Sequence, residues 1–364
     1  MKVLLVTGSF PPIKCGVGDY SENVARALAR YSSVQVGVLT SKAVSTANVP
    51  DGVELFPLIE RWSIGEANKA IGVIRRWKPD IVHVQYPTRG YGTGKLPWFL
   101  PILAFTMGVR VVQTWHGGYG IGIRDLVKFC LKMVVPSKVV VVYQEYEAIF
   151  HPFLHALVRW KQPGFIANAP AIPRIVLETN ERELVRARYA RADRRLIVFV
   201  GFVFPYKGVE LLFEIANPTI DQIVIAGEIG SAEYLTSLET LARSESWKGH
   251  ATITKAVSLE ELASLLQVAD AVVLPFREGG GDWNTSLLGA TANGAFVVAT
   301  SRNEHGYDVR RNVYFARVDD VEEMRAAVNA HAGTRRQYDA QIDGDPWSRV
   351  ARDHEVLYDN IVNA

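Results

Sequence analysis

The chain has 364 residues, 48% of them hydrophobic and 21% charged, a balance that suits a soluble globular enzyme of two domains rather than a disordered chain. A formal net charge of +2 gives no electrostatic reason to expect nucleic acid as a partner. The two cysteines, Cys15 and Cys130, form neither a disulfide framework nor a metal-ligand cluster, which fits a reducing cytoplasm.

The opening residues MKVLLVTGSFPP carry an apolar run too short for a signal peptide and lack a cleavage-like site. They read as a buried strand at Val3–Val6. Gly16-Val17-Gly18-Asp19 follows, with Asp19 and Glu22 spaced to cap a helix expected over Tyr20–Arg30. Further strands are expected at Val34–Leu39, Ile81–Val84, Val111–Thr114 and Val139–Tyr143. A second series comprises Leu196–Val200, Ile223–Ala226, Ala271–Leu274 and Phe296–Ala299. Short, wholly apolar runs alternating with helical stretches imply parallel sheets covered on both faces. Ile166–Glu178, which holds Pro170 and Pro173, separates the two series. The boundaries fall at 1–168, 169–345 and 346–364. The pattern predicts an α/β protein of two Rossmann-like, doubly wound domains facing a cleft, with ligands at the C-terminal strand ends. In the tail Asp345–Val362, Trp347, Val350, Ala351, His354, Leu357 and Tyr358 share one helical face, with Pro346 suited to the first turn. No uninterrupted run of 18 apolar residues occurs, so no membrane span is expected.

Residues 271–300, AVVLPFREGGGDWNTSLLGATANGAFVVAT, read as strand, glycine loop, helix and strand. Such a loop lets backbone approach a phosphate, and the helix start presents unpaired N–H groups to it. Glu278, just before Gly279, Gly280 and Gly281, is placed to reach the hydroxyls of whatever the phosphate carries, which points to a nucleotide sugar. Lys207 sits in GFVFPYKG after strand Leu196–Val200, at the expected start of a helix Val209–Ala216. A cation is unfavourable there unless an anion is bound. Gly227 and Gly230 follow another strand, as a pocket lining or as a simple turn. In Thr114-Trp115-His116-Gly117-Gly118, His116 ends a strand, where imidazole can bond a sugar hydroxyl or phosphate oxygen and titrate near neutrality. In VHVQYP, Gln85 is the candidate to face the cleft and His83 reads as a buried, hydrogen-bonded histidine. A nicotinamide site is disfavoured: Ser21 stands where the third glycine of G-x-G-x-x-G belongs, and Thr40 and Ser41 where an acid belongs.

In order along the chain, FPPIKCGVGDYSENVARAL, DIVHVQYP, VVQTWHGG, VFVGFVFPYKGVELL, VSLEELASLLQVADAVVLPF, GATANGAFVVAT and DPWSRVARDHEVLY resemble the family-4 retaining glycosyltransferases with the GT-B fold. The resemblance implies transfer, with retention of anomeric configuration, from a nucleoside diphosphate sugar to a saccharide, lipid-linked or small-molecule acceptor. It implies a donor-binding C-terminal domain, an acceptor-binding N-terminal domain holding Gln85, and a terminal helix packed back on the latter. Lys207 would neutralise the leaving diphosphate with the amides around Asn284, Thr285, Ser286 and Leu287. Glu278 would hold the donor sugar, His116 would bond the sugar near the reacting centre, and Gly16 and Gly18 would cover the phosphates. No acidic pair suggests a divalent ion, so neither a metal nor another cofactor is expected. The chain departs from the family where a second glutamate is usual: Gly289 stands there. Phe202 replaces a usual arginine, whose charge Arg277 would supply if it turned inward. A noncatalytic or weakly active nucleotide-sugar-binding homologue or partner subunit is the alternative. Arg124, Lys128 and Lys132 are spaced as a basic ridge, and with the apolar segment Leu96–Leu103 they read either as a peripheral contact with the inner membrane face or as a half-buried core helix.

Overall fold

A computed structural model describes residues 1–44, 49–117, 133–144, 155–254, 257–338 and 344–363. The chain divides into two compact units, Met1–Asn168 together with Asp345–Ala364, and Ala169–Gly344. The basic ridge at Arg124, Lys128 and Lys132, and Gly118, lie outside the described residues.

The first unit is built on a seven-stranded sheet of β1 (Lys2–Val6), β2 (Gln35–Ser41), β3 (Val53–Ile59), β4 (Ile81–Tyr86), β5 (Arg110–Trp115), β6 (Lys138–Val141) and β7 (Gly164–Phe165), ordered β3-β2-β1-β4-β5-β6-β7. Every pairing in it is parallel. Strand order reverses between β1 and β4, the usual place for a ligand in such sheets. Here the segments that follow β1 and β4 pass close to each other. A Cβ on Gly90 would lie 1.8 Å from the Gly8 carbonyl oxygen, and one on Gly8 would lie 2.4 Å from Tyr91 N. Gly8 N–H also donates to Thr88 Oγ1 at 3.0 Å.

Side chains alternate across a strand. In β4, Val82 and Val84 join the apolar core with Leu96, Leu100 and Ala104 of helix Leu96–Thr106. The apolar segment Leu96–Leu103 is thus largely a core helix, although Phe105 stays exposed. His83 and Gln85 point to the opposite face. The helix that starts this unit runs over Gly16–Tyr31, not from Tyr20. Asp19 is therefore inside the first turn rather than capping it. Its N–H already donates to Cys15 O at 2.9 Å. Gly18 is buried where a Cβ would stand 3.0 Å from Ser9 Cβ, so this glycine has a packing reason. Helix Pro346–Val362 packs against Gly16–Tyr31 and belongs to the first unit. Asp345 caps it by accepting from Trp347 N and Ser348 N. Val350, Ala351, His354 and Tyr358 are buried; burying Val350 alone contributes about 1.5–3 kcal/mol.

The second unit carries β8 (Arg195–Val200), β9 (Asp221–Ala226), β10 (Ala251–Thr254), β11 (Ala271–Leu274), β12 (Val297–Ser301), β13 (Gly306–Asp308) and β14 (Val313–Arg317), ordered β10-β9-β8-β11-β12-β14-β13. Only β13 with β14 is antiparallel. Helix Val209–Ala216 is not formed as one piece. A 3-10 turn at Pro205–Lys207 leads through Gly208, at φ 63 and ψ 27, into a second 3-10 turn and then helix Leu212–Ile215. A Cβ on Gly208 would lie 2.3 Å from Pro275 O, so this left-handed position also lets two loops touch.

Candidate functional site

In the second unit the C-terminal ends of β8, β9 and β11 bring three loops together. Gly201 N–H donates to Ala226 O at 3.1 Å and Val203 N–H to Glu228 O at 2.8 Å. A Cβ on Gly227 would stand 1.9 Å from Gly201 O, and one on Gly201 would stand 2.6 Å from Ser286 Oγ. Only glycine permits this approach. Gly227→Ala is expected to destabilise the unit by about 1–3 kcal/mol, checked by urea unfolding. The third loop is tied to the first by Arg277 N–H, which donates to Tyr206 O at 3.1 Å, and is held by Gly280 N–H on Thr300 O at 2.7 Å. Thr300 Oγ1 donates back to Phe276 O at 2.6 Å.

Lys207 lies within this assembly. Its Nζ is 4.1 Å from the centre of the Phe276 ring and 5.4 Å from that of Tyr206. It makes no ion pair or side-chain hydrogen bond among the described residues. Desolvation pushes the ammonium down to about 8, against a smaller upward pull from Glu278. The half-buried cation thus lies against two aromatic rings and has no ion pair among the described residues, although it does not stand at the start of a continuous helix. Glu278 is exposed; its backbone carbonyl accepts from Arg302 Nε at 3.0 Å. Gly279 adopts φ +80, and Gly281 packs against Trp283, whose ring would be 2.3 Å from a Cβ there.

Two expectations for this loop need correction. Arg277 does not turn toward Lys207: its guanidinium pairs with Glu210 and, at 2.8 Å, with Asp319. Tyr234 Oη also donates to Glu210. The helix after the loop, Thr285–Ala292, has Asn284 as its cap. Asn284 Oδ1 accepts from Ser286 N at 3.1 Å and Leu287 N at 3.2 Å. Two of the amides expected to cradle phosphate are therefore already bonded, and the Leu287 side chain is core. Thr285 begins the helix half-buried, and Ser286 offers its hydroxyl beside Gly201. Asp282 is paired with Arg311 at 2.7 Å. At Gly289 a Cβ would meet Ile172 at 3.0 Å, so the position that lacks an acid faces an apolar neighbour.

In the first unit, parallel strands buried on both faces are normally apolar throughout. IVHVQY and RVVQTW break that rule, and the buried polar groups find one another. The register sets Gln85 beside Thr114 and Tyr86 beside Trp115, so His116 leaves β5 next to Gln85. His116 Nε2 is 2.8 Å from Gln85 Oε1, Gln85 Nε2 is 3.4 Å from His83 Nε2, and His83 Nδ1 is 2.6 Å from Tyr358 Oη. Thr114 Oγ1 lies 2.7 Å from His83 Nε2. The edge of Tyr20 packs on His116, with centroids 4.7 Å apart.

His116 as a residue keeps some exposure, yet its imidazole sits among protein atoms. Desolvation, with a smaller push from His354, lowers it to about 3. His116 is thus neutral at pH 7 and does not titrate near neutrality as its type suggests. Gln85 is fully buried and bonded on both ends of its amide. Its amide is turned to His116 and His83 and not to solvent, unlike the side chain expected to face an acceptor. Tyr358 and His354 escaped the sequence reading as site-related residues; their position on the buried face of the tail helix was the available signal. Gly16 begins its helix without a side-chain cap, and Gly18 is buried beneath it. Among the described residues no three His, Cys, Asp or Glu are grouped to hold a metal ion.

Two Rossmann-like parallel-sheet units of this kind define the GT-B class of glycosyltransferases. Anabaena HepE in complex with UDP and glucose superposes with a TM-score of 0.68 at 14% identity, covering 100% of this chain and 95% of that one. WaaG, a glycosyltransferase involved in lipopolysaccharide biosynthesis, gives 0.59 at 14% identity, with 100% of both chains covered. The chain belongs to glycosyltransferase family 4: the family model described as Glycosyltransferase Family 4 matches residues 15–198. A second model, Glycosyl transferases group 1, matches residues 194–332. Among curated proteins it is similar to the GDP-mannose-dependent alpha-(1-6)-phosphatidylinositol monomannoside mannosyltransferase of Mycolicibacterium smegmatis, 24% identical over 82% of this chain and 80% of that one. The Mycobacterium tuberculosis protein of the same name is 25% identical over the same shares.

Proposed function

We propose that this glycosyltransferase takes its sugar from a nucleoside diphosphate sugar and passes it, with retained anomeric configuration and without a divalent metal, to a saccharide, lipid-linked or small-molecule acceptor. The observation that carries this reading is Lys207, a partly desolvated ammonium with no ion pair among the described residues, at loops whose glycines bring the backbone close. A diphosphate supplies the missing anion. As the glycosidic bond to the diphosphate breaks, negative charge grows on the leaving oxygen and the sugar becomes oxocarbenium-like. A fixed cation there stabilises the transition state more than the ground state. The leaving phosphate oxygen takes the acceptor's proton on the same face of the sugar, so no carboxylate nucleophile is required. In the second unit Glu278 holds donor hydroxyls; His116, in the first unit, bonds a sugar hydroxyl.

The mycobacterial relatives make GDP-mannose the first donor to test, with a lipid-borne mannoside among the acceptors. A panel of nucleotide sugars is incubated with the protein, released nucleotide is quantified, and the product's anomeric coupling is read by NMR. Turnover with retained configuration, unchanged by EDTA, is the expected result. An inverted product, or activity lost with EDTA and restored by a divalent ion, refutes the corresponding part. One observation favours a second reading, a donor-binding homologue of weak activity: Arg277 is held by Glu210 and Asp319 and Asn284 caps its helix, so neither is directed to a diphosphate. Saturable donor binding without nucleotide release identifies that case.

A further inference from the structure

The polar chain through the first unit has a direction. Gln85 turns its amide oxygen to His116 Nε2 and its amide nitrogen to His83 Nε2. An amide oxygen only accepts, so His116 Nε2 carries a proton and its Nδ1 is left as an acceptor. An N–H on His83 Nε2 would face the N–H of Gln85, so that nitrogen accepts, from Gln85 and from the Thr114 hydroxyl. His83 Nδ1 then carries the proton and donates to Tyr358 Oη at 2.6 Å. His83, Gln85, Thr114 and Tyr358 are all fully buried, where a mismatched donor or acceptor is expensive.

We infer that His83 and Tyr358 are positioning residues for His116: through Gln85, the terminal helix fixes which imidazole nitrogen of His116 is presented to the substrate as an acceptor. The two ends lie far apart in sequence, Tyr358 on helix Pro346–Val362 and His116 after β5. Removing the Tyr358 oxygen leaves His83 Nδ1–H without its acceptor. The arrangement that avoids an unpaired buried N–H on His83 reverses the chain: His83 Nε2–H is shared between Thr114 and a flipped Gln85, whose NH2 then donates to His116 Nε2. The proton of His116 moves to Nδ1, and an acceptor becomes a donor at the working nitrogen.

This inference rests on the proposed role of His116 for its catalytic consequence, but its first readout does not. Nitrogen-15 NMR of labelled histidine assigns the protonated nitrogen directly. His116 Nδ1 is expected unprotonated in the parent and protonated in Tyr358→Phe. With an active donor, Tyr358→Phe is expected to lower kcat by about ten- to a hundredfold with KM for the donor little changed. A parent in which Nδ1 holds the proton overturns the inference, as does a folded Tyr358→Phe protein with the parent's tautomer. If that variant does not fold, His83→Gln keeps hydrogen-bonding capacity while removing the imidazole; a His116 that keeps one unchanged form in it overturns the inference equally. Absence of transfer by the parent, with the tautomers as stated, refutes the functional reading and leaves this one standing.

Discussion

Lys207→Ala is expected to lower sugar transfer by about 10²–10³-fold, a loss of about 2.7–4 kcal/mol of transition-state stabilisation. The effect should fall mainly on kcat, because the charge it meets grows as the donor bond breaks. Folding should survive, since the ammonium has no ion pair to lose. Rates with the best donor, set beside a thermal melt of both proteins, make the check. A variant that keeps more than half the parent rate removes Lys207 from the mechanism. The same group sets an alkaline limit. In the free protein its charge fades as pH rises through about 8, so kcat/KM should decline there, while the group in the donor complex, facing a dianion, holds its proton to higher pH. The stability sign is opposite. The unfolded chain keeps this proton up to about 10.5 and the folded one releases it earlier, so folding gains as pH climbs between those values.

Acid should unfold the first unit early. His83 is held well below its ordinary value by burial and by the neighbouring His354 and His116. His354 is lowered to about 4 by burial, against the upward pull of its bond to Val350 O. Both start from 6.5 in the unfolded chain. Below that value the unfolded state binds protons that the folded state refuses, so stability falls as pH drops from about 6.5 toward 4. At pH 5 the fully buried His354 withdraws about 2 kcal/mol, a sizeable part of a typical domain's stability, and His83 acts in the same direction. Carboxylate titration in most proteins acts at lower pH, so the window is separable. Urea denaturation at pH 7 and pH 5 measures it. His354→Leu should flatten the dependence by about one proton, and it also removes Nε2, a buried atom with no partner. A free energy that does not change between those two pH values contradicts the account.

Much of this architecture was legible because central parallel strands are apolar on both faces. Leu196–Val200 and Ala271–Leu274 could hardly be anything else. The strands missed were those at or near the sheet margins. β3, VELFPLI, is only half-buried along most of its length, and β7 has two residues. β13 is half-buried throughout and forms the antiparallel margin, with the mostly buried β14 beside it. Burial is what writes a strand into sequence, and margins have less of it. At the candidate site Lys207 stands out in sequence as a cation at an expected helix start, where the structure has a 3-10 turn instead. Arg277 was not, since its partners Glu210 and Asp319 are distant in sequence. Asn284 exposes a real ambiguity: an amide-rich helix start reads as an anion cradle until the side chain of its own cap is seen to fill it. His83 reads correctly as buried, but its link to Tyr358 depends on the tertiary placement of the tail.

The first unit is discontinuous along the chain, and that has a consequence during synthesis. When residue 168 leaves the ribosome, the sheet of that unit is complete in sequence, yet the helix that covers His83 and Gln85 has not been made. The whole of the second unit must be translated first, which takes roughly ten to forty seconds at 5–20 residues per second. Through that interval the nascent chain carries an uncovered face of polar and apolar groups beside Gly16–Tyr31. The second unit, contiguous in sequence, is free to finish folding before the one that precedes it.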